Sequence, residues 1–265
     1  MTNLPRVLIL AGTGLARRLA EVLVDQVQVI TSLAGRTSQP LDLAGEVRVG
    51  GFGGMEGLSN YLRTHQIQAV IDATHPFAQQ ISRHGAIACQ ELNIPHLFLV
   101  RLPWLPKIGD QWLEVASMTA AAQASSQFER VLLTIGRQQL EPFAAIANTW
   151  YLVRAIEAPN LILPHSQIWL ERPPYSLAQE LELLTRFAIA AIVSKNSGGM
   201  ETYAKIQAAR QLKLPVIMVQ PPALPPGHQV QTIPEAIAWL EQTFGLDLTP
   251  ETTRTGPSRI DCTAQ

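Results

Sequence analysis

The sequence predicts an α/β protein with two modules, each built on a parallel sheet, and three observations lead to this prediction. Short apolar runs alternate with segments of helical periodicity from the start of the chain. A proline-containing stretch at 102–110 (LPWLPKIGD) interrupts the alternation, which then starts again. Hydrophobic residues make up 47% of the 265 residues, enough to fill two cores. We therefore expect two Rossmann-like modules whose sheets face a shared cleft.

The first module is predicted to span 1–102. Residues 6–10 form a continuous apolar run, typical of a parallel strand that is covered on both faces. Apolar residues at helical spacing follow at 15–24, and a β-branched run at 27–32 predicts the second strand. Further strands are predicted at 46–49, 69–73 and 96–100, and further helices at 58–64 and 77–92.

The second module is predicted to span 111–246, where strand and helix signals alternate again. Its strands are predicted at 130–135, 151–155, 191–194 and 215–219. Its helices are predicted at 119–126, 138–147, 177–187, 200–212 and 234–244. The last part of the chain is polar, rich in threonine and aperiodic, so 247–265 is expected to be a disordered tail.

Charge and cysteine content exclude several classes of protein. The net charge of −1 provides no field that would recruit nucleic acid or an anionic membrane. Cys89 and Cys262 form no CxxC pair, so neither a disulfide framework nor a metal site is predicted. The amino terminus lacks the basic segment of a signal peptide, and no apolar stretch is long enough to cross a bilayer. We expect a cytoplasmic protein.

The turn after the first strand has the composition of a phosphate-binding turn. Gly12, Thr13 and Gly14 lie between the strand and the first helix, where backbone N–H groups can approach an anion. The GxGxxG pattern is incomplete because Arg17 occupies the third glycine position. An ordinary strand-to-helix turn would have the same residues, so this motif alone does not decide the function.

The end of the second strand favours NADPH over NADH. An NAD site usually carries an acidic residue there, which binds the ribose hydroxyls, and none is present in TSLAGRT (31–37). Ser32, Arg36 and Thr37 are instead able to donate hydrogen bonds to a 2′-phosphate. The alternative is that Arg36 is a solvated loop residue.

The end of the fourth strand adds further candidates, because ligands of such sheets lie beyond the carboxyl ends of the strands. The predicted cofactor residues here and in the glycine cluster after the third strand are Gly51, Gly53, Thr74, His75, Pro76 and Phe77. His75 is also a candidate proton donor. Its alternative role is that of a helix-start residue bonded to the backbone.

Two strand ends of the second module predict an anion-binding wall of the cleft. The segment SKNSGG (194–199) combines backbone N–H donors with a cation, a combination that suits phosphate or carboxylate. The candidate substrate residues are Thr134, Gly136, Arg137, Arg154, Lys195, Asn196, Ser197, Gly198 and Gly199. The alternative is a solvated Lys195 followed by a simple glycine turn.

In this order and spacing, the motifs resemble the precorrin-6A reductase family of cobalamin biosynthesis, including its cobalt-precorrin-6A relatives. The resemblance extends to about residue 244. Its motifs are SLAGRT (32–37), VRVGGFGG (47–54), DATHPFA (72–78), TIGRQQL (134–140), SKNSGG (194–199), KIQAAR (205–210) and LPVIMV (214–219). The chain departs from the family at the first turn, where family members have GGT followed by Glu-Ala. It departs again at RPPY (172–175), where they have Arg-Gly-Pro-Phe.

The resemblance implies NADPH-dependent reduction of one carbon–carbon double bond in a modified tetrapyrrole. Such a substrate is a polyanion, so Arg172 and Tyr175 join Arg137, Arg154 and Lys195 as candidate substrate residues. His75 and Lys195 are the candidate catalytic acids. Transient hand-over to neighbouring pathway enzymes is a further expectation. Two other classes remain open at this point: a non-catalytic NADPH-binding regulator, and a nucleotide-sugar transferase with two facing α/β domains.

Overall fold

The computed structural model describes residues 4–35 and 43–248, which form two six-stranded sheets with every strand pair parallel. The predicted α/β class is therefore confirmed. Arg36 and Thr37 lie outside the described residues, as does the predicted tail from 249 onward. Within the described residues, no helix combines the length and the apolar character that crossing a bilayer requires.

The first part of the chain alternates between strands and helices. Its elements are β1 (Arg6–Leu10), α1 (Gly14–Leu23), β2 (Gln28–Leu33), β3 (Glu46–Val49), α2 (Gly54–Thr64), β4 (Ala69–Asp72), α3 (Gln79–Leu92) and β5 (His96–Leu99). The later elements are β6 (Gln111–Val115), α4 (Met118–Ser125), β7 (Arg130–Thr134), β8 (Trp150–Ala155), β9 (Ser166–Leu170), α5 (Leu177–Arg186), β10 (Ala191–Lys195), α6 (Ala204–Gln211), β11 (Pro215–Val219), β12 (His228–Val230) and α7 (Ile233–Phe244).

The strand order locates the crevice in which a ligand of the first sheet would bind. That sheet runs β12-β5-β4-β1-β2-β3, so the chain reverses its winding direction between β1 and β4. Ligands of open parallel sheets bind beyond the carboxyl ends of the strands at such a point. The second sheet runs β6-β11-β10-β7-β8-β9, with β7 and β10 at its centre.

The chain returns to the first sheet near its end, which corrects the predicted second module. Strand β12 pairs with β5, and the amide of Val100 donates to the carbonyl of Val230 at 2.8 Å. Helix α7 packs its buried Ala236 and Leu240 into the same core as α1. The predicted span 111–246 is therefore wrong at its carboxyl end, because β12 completes the outer edge of the first sheet and α7 covers its face.

Other differences concern the edges of the second sheet. Strands β6 and β9 were not predicted, because both are edge strands with largely exposed or half-buried residues. The helix predicted at 138–147 is wrong, since only a 3₁₀ turn forms at Glu141–Phe143. Pro142 has no N–H for a continuing helix, and Leu140 and Phe143 instead anchor the loop in the core. Helix α6 begins at Ala204, later than the predicted residue 200.

Candidate functional site

The turn between β1 and α1 places backbone groups at the crevice of the first sheet. Thr13 caps α1 by accepting from the amide of Ala16 at 3.1 Å, and its hydroxyl donates to the carbonyl of Ala73 at 2.8 Å. Gly12 has φ of +132°, and a Cβ there would meet no neighbouring atom within 4 Å. The hydroxyl of Thr13 therefore serves the fold, while the glycine backbone borders open space at a helix N-terminus. This arrangement fits a phosphate group.

An acidic side chain from the second sheet lies against this turn. A Cβ on Gly14 would come within 2.5 Å of Oε1 of Glu201, which follows the SKNSGG segment. Glu201 is exposed, so its carboxylate can move. Because α1 carries partial positive charge at its N-terminus, this carboxylate and a cofactor phosphate would compete for the same region.

The glycine cluster after β3 is held by a cation that the sequence analysis missed. Arg48 lies beside Ser32 in the parallel register, and its Nη1 is 3.5 Å from the Ser32 hydroxyl. Its guanidinium donates to the carbonyl oxygens of Gly50 and Gly51 and lies 3.8 Å from the centre of the Phe52 ring. The only sequence signal was an arginine two residues before the first of the glycines. Arg48 therefore shapes the loop that carries Gly51 and Gly53, next to the buried Ser32.

The turn after β4 brings the first module to the second sheet. Asp72 accepts from the amide and hydroxyl of Thr74 at 3.0 and 2.7 Å, which fixes the start of the turn. The amide of Phe77 donates to Nδ1 of His75 at 3.2 Å. The Phe77 ring packs against the core of the second sheet, and Nζ of Lys195 lies 5.3 Å from its centre.

The two candidate catalytic residues are thus brought to the same part of the cleft. His75 makes the backbone contact considered as its alternative, and this contact requires an unprotonated Nδ1. In the neutral ring the proton is therefore on Nε2. Lys195 ends β10, and its Nζ donates to the carbonyl of Ile135 at 2.8 Å. Thr134 donates to the carbonyl of Val193 at 3.0 Å, and Gly136 follows with φ of +80°.

The SKNSGG segment binds the linker between the two sheets. The side chain of Asn196 accepts from the amide of Trp104 at 2.7 Å and donates to its carbonyl at 3.0 Å. Gly198 and Gly199 have positive φ, and a Cβ on them would collide with Leu102 or crowd Arg101. The linker backbone thus occupies the side-chain amide of Asn196, and its role as a substrate ligand stays a prediction. Close approach of the linker likewise accounts for both glycines, while Ser197 is buried.

The predicted cations differ in how much of their charge a substrate could reach. Arg154 is only 6% exposed and forms two hydrogen bonds of 3.0 and 2.8 Å with Glu180, which is fully buried. Its guanidinium also lies 4.0 Å from the centre of the Tyr175 ring. The pair with Glu180 gives Arg154 a structural role, and its role as a substrate ligand stays a prediction. Arg137 pairs with Glu157 at 3.1 Å, and Arg172 is exposed.

Two further cations, one half-buried and one buried, did not stand out in the sequence. Arg101 lies beside Gly199, and burial lowers its pKa while the charge of Glu201 opposes that shift. Lys205 is buried and donates to the carbonyl of Thr202 at 2.9 Å. Burial, and then the charge of Arg154, lower the pKa of Lys205 to about 7. Neither position stood out, because a single cation in a linker or a helix is usually solvated.

The chain is similar to one group of reductases over most of its length. The family described as Precorrin-6x reductase CbiJ/CobK matches residues 6–241. A precorrin-6A reductase of Rhodococcus erythropolis is 44% identical over 240 residues, which cover 89% of this chain and 97% of the relative. A precorrin-6A reductase of Rhodobacter capsulatus is 40% identical over 239 residues, which cover 89% of this chain and 95% of the relative. A cobalt-precorrin-6A reductase of Priestia megaterium is 25% identical over 252 residues, which cover 89% of this chain and 99% of the relative. A solved structure described as CobK precorrin-6A reductase has a TM-score of 0.86 and 38% identity, and covers 94% of this chain and 100% of that chain.

Proposed function

Because the chain belongs to the precorrin-6x reductase CbiJ/CobK family, we propose that it reduces metal-free precorrin-6A in cobalamin biosynthesis with NADPH as reductant. Membership makes it an oxidoreductase that acts on a carbon–carbon double bond. The observation that carries the proposal is the position of Phe77, at the carboxyl edge of the first sheet and in contact with Lys195 of the second. A cofactor on the first sheet would therefore face a substrate on the second.

The metal-free substrate is favoured by the degree of similarity. The precorrin-6A reductases above are 40–44% identical to this chain, whereas the cobalt-precorrin-6A reductase is 25% identical. An absorbance assay with each substrate and NADPH tests this choice. We expect oxidation of NADPH with precorrin-6A to proceed faster than with its cobalt form, and the reverse preference would contradict the assignment.

The residues of the first sheet fit a phosphorylated dinucleotide. The backbone from Gly12 to Gly14 faces the pyrophosphate, and Ser32, Arg36 and Thr37 bind the 2′-phosphate. The remaining cofactor residues are Gly51, Gly53, Thr74, His75, Pro76 and Phe77. When bound, the cofactor supplies a hydride. The chain's own residues hold the two reactants face to face and exclude water between them.

The second sheet binds the carboxylates of the substrate. Lys195 supplies the main charge, and its ammonium is close to Phe77 and hence to the cofactor side. Thr134, Gly136, Ser197 and the exposed Arg172 complete this wall. His75 is the candidate proton donor in its imidazolium form, in which both ring nitrogens carry a proton. Protonation of His75 would replace the hydrogen bond that its Nδ1 accepts from the amide of Phe77.

Arg36→Ala is expected to weaken NADPH binding at least about tenfold and NADH binding little, because only NADPH carries the group that the guanidinium binds. Calorimetric dissociation constants for both cofactors check this. Arg83→Ala, which removes an exposed cation from α3, is the matched control. Equal losses for the two cofactors would remove Arg36 from the 2′-phosphate site.

Glu201→Gln is expected to tighten NADPH binding by about three- to tenfold, because it removes a negative charge beside the N-terminus of α1. The affinity should also fall more steeply with rising salt than that of the parent chain, because salt no longer screens a repulsion along with the attraction. Glu182→Gln, an exposed change on α5, should alter neither quantity. Weaker binding by Glu201→Gln would mean that this carboxylate assists the cofactor.

A further inference from the structure

A cavity of about 310 Å³ lies beyond the ends of β4 and β5, at the lower limit of about 300 Å³ for ligand pockets. It is bounded by the turn after β4, by the linker, by the loop at 221–224 and by Gln229 in β12 and Gln231 just after it. Its walls are mainly apolar and include Phe98, Leu99, Leu102 and several prolines. A flat apolar ring would fit such walls.

Two wall residues carry buried polar atoms without a hydrogen-bond partner among the described residues. Oδ2 of Asp72 is one of them, in a residue only 3% exposed, and Nε of Arg101 is the other. Buried polar atoms normally have partners, and an unsatisfied one in a cavity wall indicates a ligand group. His96 does not neutralise Asp72, since burial lowers the pKa of its imidazole.

The charges of these two residues select the chemistry of the ligand. A carboxylate of the substrate would be repelled by Asp72, and a cation would be repelled by Arg101. The group must therefore be neutral, donate to a carboxylate oxygen and accept from a guanidinium nitrogen. A primary carboxamide has both functions on one planar unit.

We propose that this cavity binds the nicotinamide carboxamide of the cofactor, with Asp72 accepting from its NH₂ group and Arg101 donating to its carbonyl oxygen. The inference rests on the proposed function, because it assumes a nicotinamide dinucleotide on the first sheet. The position supports it, since His75 also lines the cavity and its neighbour Phe77 contacts Lys195. The ring would thus be anchored on the first sheet and exposed toward the substrate wall.

Calorimetry of the full chain with three ligands tests the assignment. These are NADPH, its 3-acetylpyridine analogue, which has a methyl ketone in place of the carboxamide, and 2′-phospho-ADP-ribose, which lacks the nicotinamide. The parent chain is expected to bind the acetylpyridine analogue about tenfold more weakly than NADPH, because Asp72 then has no donor. This measurement needs no variant and so does not depend on the folding of one.

Asp72→Asn supplies the second arm. The variant is expected to bind NADPH about tenfold more weakly than the parent chain and to bind 2′-phospho-ADP-ribose with the same affinity. It should also bind NADPH and the acetylpyridine analogue equally well. Asp25→Asn, an exposed change at the opposite edge of the same sheet, should affect none of the three ligands.

Equal affinity of the parent chain for NADPH and the acetylpyridine analogue would overturn the carboxamide assignment while leaving the proposed function intact. If Asp72→Asn lowers the affinities for NADPH and 2′-phospho-ADP-ribose equally, the carboxamide assignment is also overturned, because the effect would not involve the nicotinamide. Binding of neither NADPH nor 2′-phospho-ADP-ribose by the parent chain would overturn the proposed function itself.

Discussion

Replacing Lys195 with methionine is expected to raise KM for precorrin-6A by about 10- to 100-fold, with a much smaller fall in kcat. The ammonium at the end of β10 is the cation nearest to Phe77 among those we assign to the substrate wall. A charge-assisted hydrogen bond contributes about 1.5–3 kcal/mol, and methionine keeps the apolar stem without the charge. Steady-state kinetics with NADPH at saturation check the split between KM and kcat.

The control for this prediction is Lys107→Met, which removes an exposed ammonium from the linker and should change neither constant. Lys195→Arg should recover part of the substrate affinity, because it restores the charge with a different shape. A large fall in kcat at unchanged KM would contradict a binding role. It would instead make Lys195 the catalytic acid and leave His75 without that function.

Replacing Arg154 with methionine is expected to lower the free energy of unfolding by about 3–5 kcal/mol. The change leaves the carboxylate of Glu180 fully buried without its bidentate partner. Lys205 offsets part of this charge only when it is protonated, and burial lowers its pKa to about 7. Urea unfolding followed by tryptophan fluorescence gives the measurement. Removing Arg154 also removes a charge that lowers the pKa of Lys205, so in the variant Lys205 is protonated more readily than in the parent chain and offsets part of the loss.

The double variant Arg154→Met with Glu180→Leu should recover most of the lost stability, since it removes both buried charges together. Arg17→Met breaks an exposed pair with Glu21 on α1 and should cost less than about 1 kcal/mol. Unchanged unfolding of Arg154→Met together with a raised KM for the substrate would contradict the structural role. Arg154 would then be the substrate ligand that the strand-end pattern predicted.

The central strands could be predicted from the sequence because burial on both faces demands continuous apolar runs. Strands β1, β4, β7 and β10 have this character. Strands β6, β9 and β12 do not, because edge strands are short or half-exposed and lack that signal. Helix α7 was predicted, but its periodicity does not indicate which sheet it covers. Its return to the first sheet depends on β12 pairing with β5, a long-range contact.

The site was predictable where it depends on topology and unpredictable where it depends on side-chain partners. Carboxyl ends of parallel strands meet at one edge of their sheet, so the strand pattern predicts His75 at that edge of the first sheet and Lys195 at that edge of the second. The contact between the two sheets does not follow from it. Arg154 also lies at a strand end, yet its charge is taken up by Glu180, on a helix 26 residues further along. Asn196 is likewise bound by a linker residue that is distant in sequence. Asp72 gave no signal beyond its motif, because its importance lies in an unpaired buried oxygen.

Isothermal titration of the full chain with NADPH, and with NADH in parallel, tests the central claim that the first sheet holds a phosphorylated dinucleotide. We predict association with NADPH at one site per chain and at least about tenfold weaker association with NADH. No heat of association with NADPH, or equal affinities for the two cofactors, would contradict the account.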